Sequence, residues 1–266
     1  MRNAINVLGL LVLSFSLAKS QVAIADLSTG SLLGGSENGK WLTAAQMAPK
    51  MKKQMEFKLI GWNGVEEGGV SMAAFRGESE ICGDYWSFEF ELEMDNGVGI
   101  DTTAKWNPAP RNAVKIPNSN AIYKTVVQNF LRSKGILSPT VAIDNVYRID
   151  LDGDGTDEVL ISATRYAKGM MDGQTIGDYS FTLLRSVHGG KSVDHLLDGE
   201  FFSKRPPEDH WPPNVYAIDA VADLNGDGKM EILVSSSYYE GSSHAVFEYS
   251  GGKPVAVKEL AAECGL

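Results

Sequence analysis

The chain reads Asp150-Leu-Asp152-Gly-Asp154-Gly-Thr156-Asp157-Glu158 in one place and Asp223-Leu-Asn225-Gly-Asp227-Gly-Lys229-Met-Glu231 in another. Each stretch sets oxygen-bearing side chains at positions 1, 3, 5 and 9. Carboxylates this close repel one another unless a cation lies among them, and a hard ion such as Ca²⁺ accepts about six to eight oxygens in a flexible geometry. In the first loop Asp150, Asp152, Asp154 and Glu158 supply side-chain oxygens and Thr156 a backbone carbonyl. In the second, Asp223, Asn225, Asp227 and Glu231 supply side chains and Lys229 the carbonyl. Glycines at 153, 155, 226 and 228 let the chain curl around an ion. Two Ca²⁺ sites are therefore expected. The first should bind more tightly, because Asp157 adds charge there while Lys229 offsets it in the second.

The residues after each loop decide the fold. Val159-Leu-Ile161-Ser-Ala and Ile232-Leu-Val234-Ser-Ser are apolar and β-branched, so each loop leads into a strand. A helix-flanked calcium loop would instead carry an acid at position 12, where this chain has Ile161 or Val234. Each loop also sits in a matching unit. The first predicts strands at 144–150, 158–166, 178–188 and 191–198, the second at 215–223, 231–239, 244–250 and 253–260. Gly189-Gly190 and Gly251-Gly252 mark the same turn in each unit. The second unit is shorter in the loop after its second strand. Such duplication of a four-stranded element is how blade arrays are built.

These loops and the strands after them resemble the calcium loops of the FG-GAP, integrin-α-like and VCBS repeat families. The resemblance covers the C-terminal half only and implies strands of propeller blades joined by Ca²⁺-binding loops. The expected fold class is mainly β: two propeller-blade-like four-stranded repeats with calcium loops, preceded by a β-rich region with one or two helices. The repeats fall at 138–200 and 213–262 within a half spanning 138–266, and the N-terminal region runs from 26 to 137.

That region predicts strands at 57–62, 70–75 and 86–94. In the last, Trp86, Phe88, Phe90, Leu92 and Met94 alternate with Ser87, Glu89, Glu91 and Glu93. Asp95-Asn96-Gly97 favours a hairpin turn, with 98–106 as the returning strand. Thr43-Ala-Ala-Gln46 resembles a capping box for a short helix that Pro49 interrupts. A longer helix is expected over 120–134, with Ile122, Tyr123, Val126, Val127, Phe130 and Leu131 as its apolar stripe. Ser119 is its expected cap and Gly135 its end.

The first residues predict an export signal at 1–25: Arg2, an apolar run over 7–17 too short to span a bilayer, then Ala23-Ile-Ala25 as a small-residue cleavage pattern. Ser16-Leu17-Ala18 also fits that pattern, but leaves almost no polar stretch before the cut. A secreted or periplasmic location is therefore expected. The net charge of −10 becomes two units more negative without residues 1–25, which hold Arg2, Lys19 and no acid. An acidic chain without a basic stripe excludes nucleic acid as a partner, and no later segment is apolar enough to cross a membrane. Cys82 and Cys264 can pair in an oxidising compartment or stand as two buried thiols.

No metalloprotease, Walker or nucleophile-elbow motif is present; Gly34 to Lys40 imitates a phosphate loop but is followed by Trp41. One further constellation stands out. Arg165, Tyr166 and Asp178 in the first unit, with Tyr238, Tyr239, Glu240 and His244 in the second, could gather at one end of the sheets as a ligand surface. The leading expectation is a non-enzymatic, calcium-stabilised binding or adhesion-like module with a protein or glycan ligand. The alternatives are a calcium-dependent hydrolase of phosphoesters or glycans and a purely structural envelope protein.

Overall fold

The computed structural model describes residues 21–52, 54–62, 64–72, 74–79, 83–88, 97–170, 174–188, 190–205 and 213–264. The apolar run at 7–17, Cys82, His210 and the alternating segment from Glu89 to Met94 lie outside these. Cys264 is disulfide-bonded.

The protein is mainly β, built from several antiparallel sheets that do not close into a barrel. In the N-terminal region β1 (Gln21–Asp26), β2 (Leu32–Glu37) and β3 (Lys40–Thr43) form a meander, followed by the short helix α1 (Ala44–Met47). The expected capping box is present there: Thr43 Oγ1 accepts from Gln46 N and Gln46 Oε1 accepts from Thr43 N. Then come β4 (Met55–Gly61), β5 (Gly64–Met72), the paired β6 (Ala74–Ser79) and β7 (Gly83–Phe88), and β8 (Val98–Asp101). The first sheet has the order β3-β2-β1-β8-β4-β5.

Of the hairpin expected between 86–94 and 98–106, residues 89–96 lie outside the described residues; β8, on the expected return strand, is hydrogen-bonded to β1 along one edge and β4 along the other. A strand with both edges occupied has no donor row for a third partner. Val22, Ala23, Ile24 and Ala25, the last residues of the expected export signal, are completely buried in β1, in the middle of the sheet.

The repeats fold as the sequence predicts, strand for strand. After β9 (Val114–Lys115) and α2 (Ala121–Ser133), the first unit supplies β10 (Asn145–Ile149), β11 (Glu158–Arg165), β12 (Tyr179–His188) and β13 (Lys191–Phe201). The second supplies β14 (Val215–Ala222), β15 (Glu231–Tyr238), β16 (Gly241–Ser250) and β17 (Lys253–Cys264). Each unit is an antiparallel meander, and β9 adds a fifth strand to the first through β10.

The third sheet, β14 to β17, lies between the other two. On one face Ala220, Ala222, Leu233, Val246, Val257 and Leu260 pack with Val22, Ile24, Leu33, Ile60, Val98 and Ile100 of the first sheet. On the other, Ile218, Val221, Ile232, Val234 and Tyr249 pack with Ile149, Leu160, Leu184 and Leu197 of the second sheet. Strand alternation puts Leu233 on one face and its neighbours Ile232 and Val234 on the other. The outer face of the second sheet is covered by α2 through Val126, Val127, Phe130 and Leu131. Asn120, not Ser119, caps this helix, its side chain accepting from Ile122 N at 2.9 Å, and Ile122 itself points outward. Thus α2, expected within the N-terminal region, is part of the first repeat's core.

Because Leu233 is 1 % exposed at the seam of two sheets, Leu233→Ala should cost about 2–5 kcal/mol of stability. Ile122→Ala, at an exposed helix position, should change it by less than about 0.5 kcal/mol. Urea unfolding of both variants measures the difference.

Candidate metal centre

The two acidic loops join β10 to β11 and β14 to β15, and their internal bonding matches except that Asp154 N also donates to Asp150 Oδ1 at 3.1 Å in the first. Asp150 accepts from Gly153 N through Oδ1 at 2.7 Å and from Gly155 N through Oδ2 at 3.0 Å. Asp223 accepts from Gly226 N at 2.6 Å and Gly228 N at 2.9 Å. Glu158 Oε2 takes the Leu151 N–H at 3.0 Å, and Glu231 Oε2 takes that of Leu224 at 2.7 Å. The position-5 carboxylates, Asp154 and Asp227, accept from Thr156 N and Lys229 N at 2.7 and 2.8 Å. All four loop glycines have φ between +80° and +87°, the left-handed region in which side chains are strained.

Three carboxylates of the first loop converge. In the first loop, oxygens of Asp150, Asp152 and Glu158 lie within 4.8 Å of one another. Glu158, Asp223 and Glu231 are each no more than 2 % exposed. Burial pushes the Glu231 carboxyl up to about 9, with the charges of Asp227 and Asp223 adding to the rise. Burial likewise raises Glu158 and Asp223. Carboxyls with such raised affinity for protons are relieved by a nearby cation, which favours their ionised form. The donors are all oxygen, so the set suits a hard divalent ion. Asp157 turns away to Arg148 at 2.7 Å, so its charge adds less to the first loop than the sequence suggests.

The loops lie side by side, which the spacing could not reveal. Met230 N donates to Leu151 O at 2.8 Å, tying one loop to the other. Arg111 does the same with its guanidinium: Nε donates to Asp150 O, and Nη2 donates to Leu151 O at 2.9 Å and Gly228 O at 2.8 Å. Trp106 closes over the second loop. Its Nε1 donates to Asp223 O at 2.8 Å, and its ring lies where a Cβ on Gly226 would come within 2.9 Å. Tyr249 Oη donates to Glu158 Oε1 at 3.0 Å, carrying the third sheet into the first loop. Arg111, Trp106 and Tyr249 were invisible to motif reading. They lie far along the chain from the groups they bind, so no local spacing signals them.

In the second expected constellation Arg165 and Asp178 come together. Arg165 Nη1 pairs with Asp178 at 2.9 Å, and the buried Asp178 also accepts from Ala167 N and from Thr175 N and Oγ1, which pins the loop between β11 and β12. Tyr166 Oη donates to Glu200 at 2.8 Å and also meets Asn214 O; burial raises its hydroxyl pKa. Tyr239 and Glu240 are exposed and Tyr238 is half-buried. His244 is 4 % exposed and faces Asp26 of the first sheet.

Residues 214–249, which run from the start of β14 through the second loop into β16, match the family model for the FG-GAP repeat. The first unit lies outside the matched range, although its loop repeats the same bonds. No curated protein and no solved structure matches the chain. Among the described residues no helix is long and apolar enough to cross a membrane.

Arg111 donates to carbonyls of both loops, so Arg111→Ala should loosen both at once. Backbone amide exchange should lose protection at Gly153 and at Gly226, with a stability loss of about 1.5–3 kcal/mol. Gly228→Ala, whose added Cβ meets no neighbour but whose φ is +84°, should cost about 1–2 kcal/mol and disturb the second loop more than the first.

Proposed function

We propose that this chain is an exported, calcium-stabilised binding or adhesion-like module, with one Ca²⁺ in each acidic loop and no catalytic role for either ion. The observation that carries this reading is the matching hydrogen bonding of two oxygen-rich loops, in the first of which Asp150, Asp152 and Glu158 converge with no nitrogen or sulfur donor in the set. The FG-GAP match over the second loop supports it. Asp150, Asp152, Asp154 and Glu158 would hold the first ion with the Thr156 carbonyl. Asp223, Asn225, Asp227 and Glu231 would hold the second with the Lys229 carbonyl. A cation drawing its ligands from one turn supplies charge neutralisation and rigidity there, and Arg111 carries that rigidity from loop to loop. The two meanders act as propeller-type blades that stack face to face, and the outer surface of the stack meets a protein or glycan.

The apolar run at 7–17 is the basis for export. A cut upstream of Gln21 leaves β1 whole, and Ser16-Leu17-Ala18 there has the small-residue pattern. Mass spectrometry of the exported protein should find a terminus before Gln21; a mature chain beginning at Asp26 would contradict this placement.

Calorimetry should detect two Ca²⁺ per chain, and Asp150→Ala and Asp223→Ala should each abolish one. At about 100-fold excess over its Kd each ion adds about 2.7 kcal/mol of stability, so a chelator should lower the melting temperature by several degrees. Absence of both binding heat and a chelator effect would sink the calcium reading.

A further inference from the structure

Three ionisable side chains meet away from both loops, at the seam between the first and third sheets. Asp26 ends β1 and is fully buried. Asp219 is 2 % exposed and occupies the register slip in β14 between Ile218 and Ala220, where it is the extra residue of the strand. His244 lies on β16 opposite Ser235, which hydrogen-bonds Asp219. One ligand atom from each of Asp26, Asp219 and His244 lies within 4.8 Å of the other two.

Hydroxyls of Ser28, Thr29 and Ser235 bond the two carboxylates, while Ile24 and Ala220, close to them along β1 and β14, belong to the apolar core. Burying two carboxylates in such a seam costs several kcal/mol unless something compensates their charge. Asp26 is oriented from behind: Ser28 Oγ donates to its two oxygens at 3.1 and 2.9 Å, and Thr29 N and Oγ1 donate to Oδ2, each at 2.7 Å. Its Oδ1 faces His244 Nε2 at 3.4 Å. That separation is too long for a charge-assisted hydrogen bond, which runs about 2.7–2.9 Å. It does equal the spacing of two ligands on a tetrahedral ion, about 3.4 Å when each bond is about 2.1 Å. An imidazole buried this deeply, facing a carboxylate across a ligand-to-ligand gap with a second carboxylate beside it, has the placement of a ligand.

We propose that Asp26, Asp219 and His244 form a third cation site, of a different chemical class from the loops: a borderline divalent transition-metal ion of the Zn²⁺ type, bound by one imidazole and two carboxylates. Imidazole favours such ions over Ca²⁺, which the all-oxygen loops favour. A cavity of about 480 Å³ beside the seam has His244 in its wall together with Ser31, Trp86 and Ser242, which gives an ion a route from solvent. The site joins β1 to β14 and β16, so the ion clamps the N-terminal sheet onto the second repeat. The inference does not rest on calcium in the loops.

The test uses untagged full chain in excess Ca²⁺, with Co²⁺ as the spectroscopic probe. One equivalent of Co²⁺ should produce the visible bands of a low-coordinate complex, and Zn²⁺ should displace it. His244→Ala and the near-isosteric Asp219→Asn should each weaken Co²⁺ binding at least 10-fold, whereas Asp150→Ala and Asp223→Ala should leave it unchanged. Circular dichroism checks that each variant is folded. Failure of the unaltered protein to bind Co²⁺ stoichiometrically overturns the proposal whatever the variants do. So does undiminished binding in a folded His244→Ala variant, and that outcome would leave a protonated carboxylate pair as the account of the cluster.

Discussion

The third sheet is apolar on both faces, and the rest of the chain is arranged around that constraint. A sheet with two buried faces needs a layer on each side before it can leave water. The first sheet covers one face and the second sheet covers the other. The second sheet then has its own outer face to cover, and α2 does this with Val127, Phe130 and Leu131. The order in space therefore differs from the order in sequence: the last segment of the chain is the middle of the molecule. Tryptophans mark the joints. Trp41 Nε1 reaches Glu248 at 2.7 Å, Trp106 reaches the second acidic loop, and Trp62 stacks on Tyr147 with ring centroids 3.8 Å apart.

This stacking brings the two acidic loops together. Each comes after the first strand of its meander, and packing one meander against the other sets these strand ends side by side. Carboxylates from two loops crowded into one region would repel, and Arg111 answers part of that charge while its hydrogen bonds go to carbonyl oxygens of both loops. The loops are coupled through a cationic side chain and a backbone bond from Met230 to Leu151, so disturbing one reaches the other. The buried carboxylates pull in the opposite direction from the apolar layers around them. A cation of the kind proposed for each loop would reconcile the two.

Local patterning was legible where side-chain alternation and turn chemistry act over a few residues. All eight repeat strands, the Thr43 capping box and the body of α2 arise from such signals. The turn preference of Asp95-Asn-Gly97 is local, whereas the pairing of β8 with β1 and β4 joins segments distant in sequence. Small and apolar residues near an N-terminus satisfy a cleavage pattern and a buried strand equally well, and Val22 to Ala25 are buried in β1. Asn120 displaced Ser119 as the cap because either side chain can accept from the first turn, and the backbone path selects one.

By itself the sequence determined the two oxygen-rich loops, the strands after them and the duplication that relates them, since each depends on residues close along the chain. Tertiary structure alone decided that the loops are neighbours, that Arg111 and Trp106 close on them, and that His244 faces Asp26 and Asp219 across a sheet boundary. Those contacts join residues tens to hundreds of positions apart, and nothing in local spacing encodes which of two buried faces will meet which sheet.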